Sequence, residues 1–315
     1  MRQIERVDPA LRGLLDPDDV IIPITRESLP LIRERSTERW ENGPQWGQTQ
    51  PRKEVIEGPD GAVDLYVFEP ASTVNTDDSP RPCLLWLHGG GYIMGKGRDM
   101  WNGPFYAEEA GCVVISVDYR LAPEHPHPAA INDSFAALHW VHAHALALNI
   151  DPDRVAIGGA SAGGGLAAGL CLHNRDNGNL PVCFQLLLYP MLDNLHETPS
   201  GQIVDHPIWC RADSFAAWEM YLNGRPLAEA PAAAAPARAR DLSGLPPAFI
   251  PVGDVDLFVD ENRRYAERLR AAGVVAEFAS YPGMIHGGEK LGGTDTAIGK
   301  RMLHDFAEAL RRAYQ

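Results

Sequence analysis

Three groups of residues in this chain have the types and placement needed for nucleophilic acyl transfer. The first centres on Ser161, in Gly159-Ala160-Ser161-Ala162-Gly163, straight after the apolar run 155–158 and before a small-residue stretch with helical character, 162–173. A strand-to-helix turn at such a serine strains its backbone and lifts the hydroxyl clear of a sheet. Glycines two residues to either side are needed because side chains there would clash. The following helix aims its N-terminal N–H groups and positive dipole end at the same point. A glycine-rich helix start with an incidental serine is the plainer alternative; strand before and helix after weigh against it.

The second group is His88-Gly89-Gly90-Gly91-Tyr92, directly after the apolar run 83–87. Consecutive glycines let backbone amides turn toward a ligand oxygen, and a loop in this place can bind the oxyanion formed when the serine attacks. The expected donors are the N–H groups of Gly89, Gly90 and Ala162. The third group supplies a base and its orienting acid, which follow the serine in that order: acid, then histidine. Histidines 173, 196, 206, 286 and 304 follow Ser161, and His286 stands out in Tyr281-Pro-Gly-Met-Ile-His286-Gly-Gly, just beyond the last strand-like run. For the acid, Asp254 and Asp256 both fit the spacing after the run 248–252. Asp260 and Glu261 look like first-turn acids of the next helix, where the dipole favours them.

Positioning these groups requires a sheet. Strand-like runs at 53–57, 63–69, 83–87, 113–118, 155–158, 184–189, 248–252 and 277–281 alternate, from 83 onward, with helical patterns at 129–148, 162–173, 260–272 and 297–313. Near-continuous apolar strands alternating with helices predict an α/β fold: about eight strands, mostly parallel, with helices on both faces. The alternation fails between 193 and 242, where a short aromatic helix (214–223) precedes the Ala/Pro-rich tract 230–239. We expect one domain, 1–315. Residues of about 1–50 and 193–242 would form a helical cap beyond the strand carboxyl ends, where open parallel sheets bind ligands. Aromatic residues gather in these loops, and Tyr92, Trp40, Trp209 and Trp218 are candidates to line a substrate pocket.

Composition excludes other classes. Hydrophobic residues make up 45% and charged residues 22%, as in a globular chain. Forty-two acidic against 28 basic residues give a net charge of −14, which works against nucleic acid and anionic membranes. No apolar run approaches the roughly 18 residues of a membrane span, and the N-terminus lacks a signal-peptide core, so the cytoplasm is the expected compartment. Five scattered cysteines read as reduced thiols, and without a CxxC or HExxH motif a metal site has little support. Gly90 to Lys96 starts like a phosphate loop, but Gly97 stands where Ser or Thr is needed; Gly163 to Ala168 mimics a dinucleotide fingerprint inside a helix instead of before one.

Together, His88-Gly-Gly-Gly91, Asp118-Tyr-Arg-Leu-Ala-Pro-Glu-His-Pro126, Gly159-Ala-Ser-Ala-Gly-Gly164, Leu242-Ser-Gly-Leu-Pro-Pro247 and Asp256-Leu-Phe-Val-Asp-Glu261 resemble the hormone-sensitive-lipase-like branch of the α/β-hydrolases, related to arylacetamide deacetylases. The resemblance spans roughly residues 60–290. It implies the α/β-hydrolase fold and a serine carboxylesterase acting on short-to-medium acyl esters of small molecules, with neither cofactor nor metal. It places the acid on Asp256 and the base on His286, and implies a possible homodimer through 277–281 and 297–313. Ala160, Leu257 and Gly288 depart from the family pattern without removing a reacting group. A non-catalytic binding protein on this fold is the rival reading; the plant gibberellin receptors, which are such proteins, lack the histidine that is present here as His286.

Overall fold

The apolar runs of the sequence become the strands of one sheet. The computed structural model describes residues 2–15, 22–42, 50–70, 79–293 and 295–315. Its strands are β1 (Arg52–Gly58), β2 (Gly61–Phe68), β3 (Arg81–Leu87), β4 (Val113–Asp118), β5 (Ile150–Ala160), β6 (Phe184–Leu188), β7 (Ala248–Val255) and β8 (Ala276–Ile285). They lie in the order β1-β2-β4-β3-β5-β6-β7-β8. β2 runs antiparallel to β1 and β4, and the other neighbouring pairs are parallel. The helices are α1 (Pro9–Arg12), α2 (Leu29–Asn42), α3 (Gly103–Ala110), α4 (Ala129–Ala143), α5 (Ala162–Asn177), α6 (Arg211–Tyr221), α7 (Val259–Ala271), α8 (Gly288–Gly292) and α9 (Ala297–Ala313).

Alternating side chains of a strand serve opposite faces. Cys83, Leu85 and Leu87 of β3 join the apolar layer of α4, α5 and α7, whereas Leu84 and Trp86 join that of α3 and α9. Because both layers are apolar, the central strands read as continuous hydrophobic runs, as the sequence analysis expects of a covered parallel sheet.

Several elements differ from expectation: β5 starts at Ile150 instead of residue 155, β7 runs to Val255, α5 to Asn177, and α3 has no counterpart among the expected helices. β8 continues to Ile285 instead of stopping at residue 281, running through Pro282 and Gly283. As an edge strand it tolerates a proline, and Gly283 at φ 81° opposes a register shift between Gly253 and Val255 of β7. α4 ends at Ala143, not at residue 148, and the turn beyond it leaves Leu146 exposed.

The consequence for chemistry lies at the strand ends. β3, β5, β7 and β8 finish at Leu87, Ala160, Val255 and Ile285, so His88, Ser161, Asp256 and His286 are each the first residue beyond a strand. Since these strands are parallel, all four emerge at the same edge of the sheet. α6 covers the loop after β3 there: a Cβ added to Gly91 would lie 3.2 Å from the Ala217 Cβ. Residues 2–15 are built into the adjoining body, with Val7 and Leu11 buried in the α9 layer and the Asp8 N–H donating to the Gly283 carbonyl (2.9 Å). Among the described residues, no helix is long and apolar enough to cross a membrane.

Candidate active site

Ser161 sits at φ 58°, ψ −121°. Such a conformation costs a non-glycine residue on the order of 1–3 kcal/mol and persists only where the surroundings impose it. Here its N–H donates to Leu188 O (2.9 Å), and its carbonyl accepts from Gly165 N (3.0 Å) and Met191 N (2.9 Å). The flanking glycines are steric requirements. A Cβ on Gly163 would lie 2.0 Å from Leu87 O, and one on Gly159 would lie 2.2 Å from Gly163 O. A side chain at either position would drive α5 and the sheet apart.

The turn presents the Ser161 hydroxyl to His286, whose Nε2 lies 2.9 Å from Oγ. On the far side of the ring, Nδ1 lies 2.8 Å from Asp256 Oδ2. A carboxylate acceptor at Nδ1 favours the tautomer protonated there, leaving the Nε2 lone pair to accept from the serine. Asp256 is fully buried, and its other oxygen accepts from Phe258 N at 2.9 Å. The imidazole is boxed by Tyr189, Phe258 and Trp209, with ring centroids 5.0, 5.2 and 6.3 Å away. Asp254, the alternative that spacing left open, faces elsewhere. It accepts from Gly283 N (2.7 Å) and pairs with Arg6 (3.2 Å).

The glycine loop is folded by its own backbone. Gly90 at φ 119° and Gly91 at φ 61° let the Gly90 carbonyl accept from both Ile93 N and Met94 N, each at 3.0 Å. Gly89 packs so closely on the serine turn that a Cβ there would meet the Ser161 Cβ at 3.4 Å. Beneath the loop, His88 stacks on Tyr119 (4.1 Å), which donates its hydroxyl proton to His88 O (2.6 Å); burial lowers the His88 pKa and keeps its ring neutral. Among the described residues, no protein group accepts from the N–H of Gly89, Gly90 or Ala162.

The candidate pocket aromatics separate. Trp209 lies against the site: its Cη2 is 2.6 Å from where a Gly91 Cβ would be, and among the described residues its buried Nε1 has no partner. A γ-turn presents it, with Trp209 N bonded to Pro207 O (2.8 Å) around Ile208 at φ 70°. Tyr92 and Trp218 lie deeper in the fold. Both are fully buried, with Tyr92 stacked on Tyr221 (3.9 Å), tilted against Trp218 (5.3 Å), and donating to Met191 O. The Trp40 side chain lies outside the described residues, as does Trp46.

Several supporting residues escaped the sequence reading because their partners are far away in the chain. Glu261, read as a first-turn helix acid, is buried and accepts from Leu192 N (2.8 Å) and Asp193 N (3.2 Å); burial pushes its pKa well up. Ser200 Oγ donates to Leu257 O (2.9 Å), bracing the backbone just past Asp256. Tyr189, beside His286, donates to the buried Glu289 carboxyl, whose pKa burial also raises.

Comparison with known proteins agrees with this geometry. A family model described as the α/β hydrolase fold matches residues 84–289. The carboxylesterase NlhH of Mycobacterium tuberculosis is 38% identical, over 89% of this chain and 88% of its own. Esterase LipI of the same organism is 39% identical over 74% of this chain and 73% of its own. Among solved structures, a bacterial heroin esterase superposes with a TM-score of 0.89 at 37% identity, covering 99% of each chain. The chain therefore belongs to the α/β-hydrolase fold family, in its hormone-sensitive-lipase-like carboxylesterase branch.

Proposed function

We propose that the protein is a serine carboxylesterase that hydrolyses short-to-medium acyl esters of small molecules through an acyl-enzyme. The hydrogen-bonded line from Ser161 through His286 to Asp256, 2.9 and 2.8 Å long, carries the reading. Ser161 Oγ attacks the ester carbonyl while His286 Nε2 takes the hydroxyl proton. Asp256 holds the Nδ1–H and stabilises the imidazolium. The amides of Gly89, Gly90 and Ala162 receive the oxyanion, and the loss of one such donor typically costs about 10²–10³ in rate. His286 then protonates the leaving alcohol. Water, deprotonated by the same ring, attacks the acyl-enzyme and releases the acid, restoring Ser161. The reaction drawn this way uses no metal or cofactor.

In this proposal the segments 193–242 and about 1–50, except residues 2–15, which pack into the α9 layer, act as the cap of a single hydrolase domain, and Trp209 walls the substrate pocket. A homodimer through β8 and α9 and a cytoplasmic location are parts of the same reading. Five unpaired cysteines support a reducing compartment.

The reading is tested with p-nitrophenyl esters of graded acyl length and acetates of graded alcohol length. Trp209→Ala sharpens the test by removing the proposed wall. Each methylene newly buried is worth about 0.8 kcal/mol, or about fourfold, so kcat/KM for esters two or three carbons longer should rise about 15- to 60-fold relative to the shortest. The shift is expected in the series whose chain points at Trp209. An unchanged profile in both series would remove Trp209 from the pocket.

A further inference from the structure

We infer that Arg33 is a positioning residue for the oxyanion loop, making helix α2 part of the machinery that stabilises the transition state. The inference rests on reading Gly89 and Gly90 as oxyanion donors. Arg33 lies on α2, before the segment 84–289 that the family model matches.

Its guanidinium makes four hydrogen bonds to two separate stretches of chain. Nε donates to Ile93 O (2.7 Å), Nη2 to Ala122 O (2.8 Å), and Nη1 and Nη2 to the two Glu124 oxygens (2.8 Å each). Ala122 N in turn donates to Tyr92 O (3.0 Å), so the fork closes a ring that pins Tyr92 and Ile93 against Ala122. Ile93 also donates its own N–H to Gly90 O (3.0 Å). A fixed Ile93 therefore fixes the Gly90 carbonyl, one peptide along from the Gly90 N–H.

This constraint matters because the loop's shape is a conformation that needs holding. Gly90, Gly91 and Tyr92 stand consecutively at φ 119°, 61° and 65°. Glycines that reach such angles freely also leave them freely. The Gly90 amide can lower a barrier only if it already points at the developing oxyanion. An ion pair with a partner as exposed as Glu124 (54%) adds little stability on its own. What the planar fork offers is direction, since its donors are fixed relative to one another in a way that a lysine ammonium cannot reproduce.

The test measures kcat, KM and the thermal midpoint for wild type, Arg33→Ala, Arg33→Lys and Glu124→Gln on p-nitrophenyl acetate. It adds the inhibition constant of an alkyl trifluoromethyl ketone, whose serine adduct places an oxyanion on the same amides. We expect Arg33→Ala to lower kcat by about 10–100-fold, somewhat less than the loss of a whole donor. KM should stay within about threefold, and the ketone's inhibition constant should rise in parallel with the kcat loss. Arg33→Lys should recover no more than about threefold of that loss, because it restores charge without the fork. Glu124→Gln, which leaves both carbonyl bonds in place, should lose less than Arg33→Ala.

A kcat for Arg33→Ala or Arg33→Lys within about twofold of wild type would overturn the inference. So would a loss confined to KM, or one tracking only a fall in thermal midpoint. Hydrolysis surviving Ser161→Ala in the same assay would instead overturn the reading of the site, and the inference with it.

Discussion

Ser161→Ala is expected to lower kcat on p-nitrophenyl acetate by about 10⁶-fold, leaving only what substrate binding and the oxyanion amides achieve with water. The expectation follows from geometry. The Ser161 hydroxyl is the group hydrogen-bonded to His286 Nε2, and the turn that displays it holds Ser161 at φ 58°. Alanine tolerates that backbone about as well as serine does, so the variant should fold and lose only the nucleophile. Steady-state hydrolysis beside a thermal melt separates the two effects. A variant that melts normally and retains one per cent of wild-type turnover would place the nucleophile elsewhere.

Asp256→Asn should lower kcat by about 10⁴-fold, because an amide at that position selects the wrong imidazole tautomer. Asp254→Asn is its control. Asp254 is two residues away and tied to Arg6 and Gly283 at the edge of the body. Its ion pair is 36% exposed on each side, so losing it should cost no more than about 1 kcal/mol of stability. Its kcat should stay within about threefold of wild type. The reverse pattern would mean that the acid is misassigned by two residues.

The same pair shows what local sequence can resolve. The apolar cores of β3, β5 and β7 were legible because both faces of the sheet are covered; only β3 stops where expected, while β5 and β7 run on to Ala160 and Val255. The serine turn was legible because backbone crowding at Gly159 and Gly163 admits no side chain. Asp254 and Asp256 were not separable by spacing: they flank the end of β7, Asp254 within the strand at a register shift and Asp256 just past it, where it meets His286. Resemblance to a family pointed to Asp256; the residues alone did not.

Other parts of the site were illegible for a different reason. Arg33 meets Ile93 across 60 positions, and Ser200 meets Leu257 across 57. No periodicity or turn signal connects such pairs. β8 was cut short at residue 281 because Pro282-Gly283 reads as a turn, whereas on an edge strand it makes a bulge that carries the chain on to His286. Tyr92 and Trp218 were pocket candidates on aromatic character and placement beyond the strand ends alone. In the structure both are buried, Tyr92 stacked on Tyr221 and tilted against Trp218, so their rings contribute to cohesion between the loop after β3 and α6.

The most direct measurement is mass spectrometry of the protein after reaction with diethyl p-nitrophenyl phosphate, which phosphorylates an activated serine and releases p-nitrophenol. Trypsin should cut after Arg154 and Arg175, giving the peptide 155–175, in which Ser161 is the only serine. We expect a single diethylphosphoryl adduct on that peptide, appearing in step with loss of esterase activity and absent from Ser161→Ala. Inactivation with the adduct on another residue, or full labelling of peptide 155–175 with hydrolysis undiminished, would contradict the assignment of Ser161 as nucleophile.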